Sequence, residues 1–437
     1  MPQFEQHPLR WSLSGEIHAR PPVALDTPAF VTYLAFTHHE GSAEREAGHL
    51  RALAEQLALP MPDPGSGHIE LSVGAQGTGG FRLKWERHNE FSSYCFFRRI
   101  DPAATGNGDY ALLNVPTAWL DAIPGQLIAA THIEIRRAAD LPLETVLQQQ
   151  SPHGHPLVAS KIAGGAGWVL TDFHLHDGFS HFLVLDDHLT PRQAGRIAQR
   201  LVEIETYRVM ALLAFPVAKE VGRLVSRAED ELADLMDGMS QARNAEDDRS
   251  ILSRLSRLAA EVERSVARTT FRFGAAAAYY RLVRQRIEDL REERLPSLSP
   301  ISEFMDRRLV PAIDTCSTIS RRLDDLSARI ARNSQLLRTR VDIELERQNQ
   351  ELLAQMNRRA KIQLHLQETV EGLSVVAITY YASQLVNYVA KGAKDLITPL
   401  TPEILTAISI PVIAGFVFMG LRRMRKALAK EEGSGGH

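Results

Sequence analysis

Hydrophobic and polar positions follow three different rhythms along the chain. Up to about residue 215, short apolar or alternating runs are separated by turns rich in Gly, Pro and Asp. Residues 29–37 (AFVTYLAFT) are aromatic and β-branched, which predicts a strand. Residues 42–57 place Ala43, Ala47, Leu50, Leu53, Ala54 and Leu57 at helical spacing. Further strands are predicted over 68–73, 81–88, 91–99 and 126–137, and a β-meander over 157–162, 168–175 and 179–185. Thr190 followed by Pro191 then opens a helix, with Thr as N-cap and Pro at the first helical position. That helix should run to about Phe215 and be interrupted at Pro216. Strands dominate and helices intervene irregularly, so an α+β domain on a mostly antiparallel or mixed sheet is expected for residues 1–216.

From residue 217 the strand signal disappears and Arg, Glu, Leu and Ala take over. Helices are predicted over 217–240 and 250–295, with the polar run 244–248 between them. A third begins near Ser302 and continues past Pro311. Long helices with short connections imply a bundle over 217–372 whose last member is a stalk. Leu323, Leu326, Ile330, Leu337, Val341, Leu345, Leu352 and Met356 form one stripe of that stalk. Their mean step of about 3.7 residues lies nearer an 11-residue repeat than a heptad, which favours nearly straight helices. A continuous helix of about 50 residues would be about 75 Å long and needs partners, from the upstream helices or from a second subunit.

The third rhythm is continuous apolarity. Residues 373–390 and 404–421 are each about 18 residues long, contain no Asp, Glu, Lys or Arg, and are joined by a polar turn holding Pro399 and Pro402. They predict a two-helix transmembrane hairpin over 373–421. A buried hairpin in a soluble core is the competing reading. Pro411, Gly415 and Gly420 in the second segment suit a membrane helix. In the first, Thr379, Ser383 and Asn387 recur every four residues, beside Tyr380 and Gln384, and make a hydrogen-bonding stripe that should face protein or water. Arg358, Arg359 and Lys361 before the hairpin, and the basic run 422–426 after it, exceed Lys391 and Lys394 in the turn. The positive-inside rule therefore leaves both termini and the bulk of the chain in the cytoplasm, with the inner membrane as the expected location.

Composition adds little to this picture. The 437 residues are 44% hydrophobic and carry a formal charge of −3, which gives no pull toward nucleic acid. Cys95 and Cys316 lie far apart and suit a reducing compartment. No apolar run follows Met1, so no cleaved signal peptide is expected. The basic tail 422–437 ends in Gly433-Ser434-Gly435-Gly436-His437, which reads as a linker.

Candidate chemistry is sparse. Asp172, His174 and His176 would share one face of a strand, with His181 on the next, and alternate histidines on a strand can hold a metal. The bland alternative is a set of hydrogen-bonded surface histidines. His153 and His155 flank a Gly in a loop and say less. The 164–167 Gly-Gly-Ala-Gly run lacks the strand-loop-helix setting of a phosphate cradle and reads as a hairpin. Cys95 reads as a buried structural thiol. No catalytic constellation and no cofactor motif stands out, so no enzyme is nominated. Glu368 and Glu371 share a helix face just before the first apolar segment. In a symmetric oligomer they would ring a cytoplasmic mouth, with Thr379, Ser383 and Asn387 as a pore lining and a cation as cargo.

Several stretches together resemble a known family. They are His7-Pro8-Leu9-Arg10 with residues 16–21 (EIHARP), residues 83–91 (LKWERHNEF), Thr171-Asp172-Phe173, residues 199–208 (QRLVEIETYR) and residues 369–374 (TVEGLS). The likeness is to an uncharacterised bacterial family of membrane-anchored proteins, and it implies placement without an activity. The layout also resembles CorA-type divalent-cation channels and Rmd-type mitochondrial membrane proteins. The Gly-Met-Asn of the former is absent here, where the chain reads Asn387-Tyr388-Val389-Ala390-Lys391-Gly392. Three functions follow as expectations: a membrane-anchored homo-oligomer with a structural or organising role, a CorA-like cation channel, or a ligand sensor or enzyme in the α+β domain.

Overall fold

The computed structural model describes residues 4, 6–11, 13–14, 22–38, 41–60, 67–74, 80–99, 111–148, 156–242, 244–392 and 402–432. Two compact units emerge. The first comprises Met1–Ala242 and Ser250–Ser334, and the second Arg243–Arg249 and Gln335–His437.

The first unit is built on a ten-stranded sheet. Its strands are β1 (Ala29–Thr37), β2 (His68–Val73), β3 (Phe81–Arg87), β4 (Phe91–Arg99), β5 (Gln126–Arg137), β6 (Val158–Ile162), β7 (Gly167–Thr171), β8 (Leu175–His176), β9 (Phe179–Asp186) and β10 (Glu293–Arg294). Their order is β10-β6-β7-β9-β5-β1-β4-β3-β2, with β8 paired to β9. Every pairing is antiparallel except β5 with β9, so the sheet is mixed.

Strand alternation distributes the side chains between two faces. On one face Phe30, Leu34, Leu83, Trp85, Tyr94 and Phe96 form a core closed by Leu50 and Leu53 of helix α1 (Ser42–Gln56) and Trp119 of the short α2 (Thr117–Asp121). A smaller cluster on Ala159, Leu170 and Leu185 is covered by α3 (Leu143–Gln148). The opposite face receives α4 (Pro191–Leu212), which buries Ala194, Ile197, Ala198, Leu201 and Ile204. Gly195 has no substitute there, because a Cβ would stand 1.7 Å from the carbonyl oxygen of Val23. Thr190 and Gln193 close the expected helix start with a capping box.

Three long helices and one short one follow among the described residues: α5 (Ala214–Gln241), α6 (Ala245–Leu290), the short α7 (Ile301–Arg308) and α8 (Val310–Gly392). Several boundaries differ from those read off the sequence. The first interruption falls at Leu213, and Pro216 sits in the first turn of α5, where a missing N–H costs nothing. The expected break between helices is present but ends at Asn244, and the rest of the polar run, 245–248, is the start of α6. Asn244 Oδ1 accepts the Asp247 N–H at 2.8 Å, and the acidic first turn suits the helix dipole. α6 stops at Leu290, five residues earlier than expected, because Arg291 turns left-handed at φ 50° and releases β10 to pair with β6. Glu292 caps α7 by accepting the Ile301 and Ser302 N–H groups at 3.0 and 2.9 Å.

In the second unit Leu337 and Val341 are buried, and Arg340 meets Asp248 at 3.0 Å. α8 continues helically through 373–390. The turn expected over 391–403 falls mostly on 393–401, and the linker on 433–437; both lie outside the described residues. The last helix is α9 (Pro402–Glu432). Among the described residues one helical stretch, Glu403–Arg423, is long and apolar enough to cross a membrane, with mean hydropathy 2.3 and none of it buried. The 373–390 stretch stays out of that class, because Ser374, Thr379, Ser383, Gln384 and Asn387 dilute its apolarity. The chain thus has an N-terminal mixed-sheet domain, long helices and one strongly apolar C-terminal helix.

Candidate functional site

The polar side chains of the first unit gather around α4. On β3, Lys84 and Glu86 lie two residues apart and so share a face. They meet at 3.1 Å, with only 8% and 15% of their side chains exposed. Tyr33, Ser93 and Cys95 of the sheet and Gln199, Glu203 and Tyr207 of α4 line the same small cavity, about 40 Å³, which is room for a water rather than a substrate. Burial pushes the Tyr33 phenol up, against hydrogen bonds from Thr206 and Ser93 that lower it. Burial likewise pushes the Cys95 thiol up, so it stays protonated as a structural thiol.

α6 closes this layer from outside. Arg272 donates to Glu90 from both terminal guanidinium nitrogens, at 2.6 and 3.3 Å. Arg286 pairs with Glu203, whose other oxygen accepts from Gln199 at 2.8 Å. Tyr207 and Tyr279 stack at 5.7 Å. The stretches 83–91 and 199–208, singled out separately in the sequence, therefore face each other across one interface. Sequence spacing carried no signal for the partners on α6, which lie 83 and 182 residues away.

A larger cleft, about 410 Å³, opens beside the C-terminal half of α4. Its walls include Val158, Leu212, Met305 and Leu309, with Arg208 and Arg308 also lining it. Arg208 is held by the buried Glu205 at 2.5 and 3.0 Å and lies 5.6 Å over the Phe173 ring, which stacks on Phe304 at 4.5 Å.

The expected metal set does not converge. β7 ends at Thr171, and Phe173 is left-handed at φ 55°, so 172–174 leaves the strand before the two-residue β8 begins at Leu175. Asp172 Oδ1 accepts the His174 N–H at 3.0 Å, and Oδ2 binds His176 Nε2 at 2.7 Å. His174 lines the cleft, while His176 faces His181 at 5.9 Å. Among the described residues no group of three or more His, Cys, Asp or Glu is placed to hold a metal ion. His153 and His155 lie outside them. The row continues inward to His132, 5.2 Å from His181, stacked on Phe179 at 4.0 Å and bonded to Thr32 Oγ1 at 2.8 Å. Burial lowers His132 to about 3 and also lowers His181. Burial alone would raise Asp172, but the His174 N–H and the His176 ring hold its carboxyl below the usual range.

The mouth and pore candidates separate. Glu368 is exposed, 3.8 Å from His365, and Glu371 is half-buried. Thr379 and Ser383 are buried within the single chain, and Asn387 is half-buried. Ser383 donates to the Tyr380 carbonyl at 2.8 Å, whereas the Thr379 hydroxyl has no hydrogen-bond partner among the described residues.

A family model described as a protein of unknown function (DUF3422) matches residues 5–428. The chain belongs to this family. The DUF3422 match runs through both compact units, so sheet, long helices and apolar C-terminal helix are parts of one family unit. No curated protein and no solved structure matches. The CorA-type and Rmd-type likenesses of layout are therefore unsupported.

Proposed function

We propose that this protein is a membrane-anchored homo-oligomer with a structural or organising role, its N-terminal domain tethered through α8. The observation that carries the reading is an inverted burial pattern in 373–421. Polar or small Thr379, Ser383 and Ala390 are covered, while Leu373, Val376, Leu385, Val389, Ile404, Ile408, Val412, Phe416, Phe418 and Met419 are exposed. Leaving a large apolar side chain in water costs about 1.5–3 kcal/mol. Ten such side chains, partly exposed, cost of the order of 10–20 kcal/mol, as much as a whole domain's stability of about 5–15 kcal/mol. Lipid removes that cost, and water does not.

In this reading 373–390 and 404–421 form a transmembrane hairpin. The half-buried stripe Leu405, Ser409, Ile413, Val417 and Leu421 on α9 is the surface that meets the polar stripe of α8. The basic residues on both flanks support an orientation with the bulk of the chain and both termini in the cytoplasm, at the inner membrane. The polar stripe turned inward within one chain favours anchoring over conduction. Washing membranes with alkaline carbonate should leave the full-length protein in the pellet. Its release into the supernatant without detergent would refute the anchor.

A further inference from the structure

Every residue of α8 from 345 to 370 is exposed, and this follows directly on Leu337 and Val341, which are buried. The stripe that includes these two does not end where its cover ends. It continues as Leu345, Leu352, Arg359, Leu366 and Leu373, spaced by sevens, with Asn349, Met356, Gln363 and Val370 three residues before the last four of these. That is a heptad seam about 42 Å long, with Leu at every d position but Arg359 and mixed polar and apolar residues at a. The 3.7-residue average over the whole stripe concealed it, because the covered part and the bare part keep different steps.

We propose that residues 345–373 of α8 pair with the same residues of a second copy of this chain, as a parallel two-stranded coiled coil in register. Leu at d favours two strands, and a polar Asn349 at a fixes alignment against its own counterpart. The flanking positions support like-on-like pairing: apart from Glu346 at the first turn of the seam, they are Gln348, Leu353, Gln355, Ala360, Ile362, Gln367 and Thr369, which carry no charge to repel a twin. The other charges off the seam sit on the far side, where Arg347 is held by Glu344 and Glu351 of its own helix at 2.8 and 2.6 Å. Arg359 is the one charge on the seam. Its aliphatic stem can lie along the seam with the guanidinium reaching water, at a cost to stability. The parallel orientation rests on the membrane anchoring proposed above, since two chains inserted from one side enter the bilayer side by side.

Disulfide trapping in the full-length protein, with buried Cys95 and Cys316 left in place, tests the seam. Under mild oxidation Leu345→Cys, Leu352→Cys and Leu366→Cys should each give disulfide-linked dimers, at least tenfold faster than the outward-facing Glu351→Cys. Arg359→Leu should lower the dimer dissociation constant at least tenfold. Equal trapping at Leu352→Cys and Glu351→Cys, or a full-length chain that remains monomeric by light scattering, would overturn the proposal. Trapping only near residue 359 would mean antiparallel pairing and overturn it as well. Carbonate extraction of the same samples separates the two readings: membrane-bound protein without seam disulfides removes the coiled coil alone, and soluble protein with them removes the anchor alone.

Discussion

Arg272 and Glu90 stand 182 residues apart in sequence and meet through both terminal guanidinium nitrogens, at 2.6 and 3.3 Å, with only 17% of each side chain exposed. The pair fastens α6 to the turn between β3 and β4 and makes the sheet and the long helix one unit. Arg272→Ala should lower stability by about 1–3 kcal/mol, since it leaves a largely buried carboxylate with fewer partners. Arg268→Ala removes an exposed pair with Glu220, one turn away on the same helix, and should leave the melting temperature unchanged. Equal effects from the two substitutions would mean that burial does not decide the contribution here.

Glu292 joins three elements with one carboxylate: it accepts from the Ile301 and Ser302 N–H groups and from Ser160 Oγ at 2.8 Å. Glu292→Ala should therefore do more than remove a helix cap worth about 1 kcal/mol. It should also raise hydrogen exchange in β6, whose outer edge is held by β10 and by the bridge from Ser299 to Val158. Exchange confined to the start of α7 would contradict the link.

His132 gives the fold a pH dependence of defined sign. Burial lowers it to about 3, from an ordinary value of 6.5. The unfolded chain therefore binds a proton that the folded chain refuses, and this contribution to stability is full above pH 6.5 and declines as pH falls toward 3. The slope from one such group is at most about 1.4 kcal/mol per pH unit. Asp172, held below its usual range, loses its contribution in the same direction at lower pH. A His132→Asn chain should show a flatter stability profile between pH 6.5 and 4. An unchanged slope would assign the acid sensitivity elsewhere.

Gly195 presses α4 against the 22–26 segment, where Leu25 N–H also donates to the Pro191 carbonyl at 3.0 Å. Gly195→Ala puts a methyl group onto the Val23 carbonyl and should cost about 2–4 kcal/mol, unlike Gly48→Ala, which meets open space on α1. Thermal unfolding of the two variants distinguishes close approach from a general loss of glycine.

The strands at 29–37, 68–73, 91–99 and 126–137 were legible because alternation and β-branched residues mark them locally, and Thr190–Pro191 marked the start of α4. What escaped depended on distance or on a single dihedral. β10 is two residues long, and its partner β6 precedes it by over 130 positions. The turn at Phe173 broke a run that reads as strand, so Asp172, His174 and His176 do not line one strand face. Glu203 and Glu90 look like surface acids until α6 brings Arg286 and Arg272 to them.

The central claim is that the apolar C-terminal segments cross a bilayer and return. Single cysteines at Thr398, which lies between the two segments in sequence, and at Gln348 on α8 test it in the full-length chain. A membrane-impermeant maleimide applied to intact cells with a permeabilised outer membrane should label Thr398→Cys, and should reach Gln348→Cys only after lysis. Labelling of both positions only after lysis, with the protein recovered in the soluble fraction, would contradict the account.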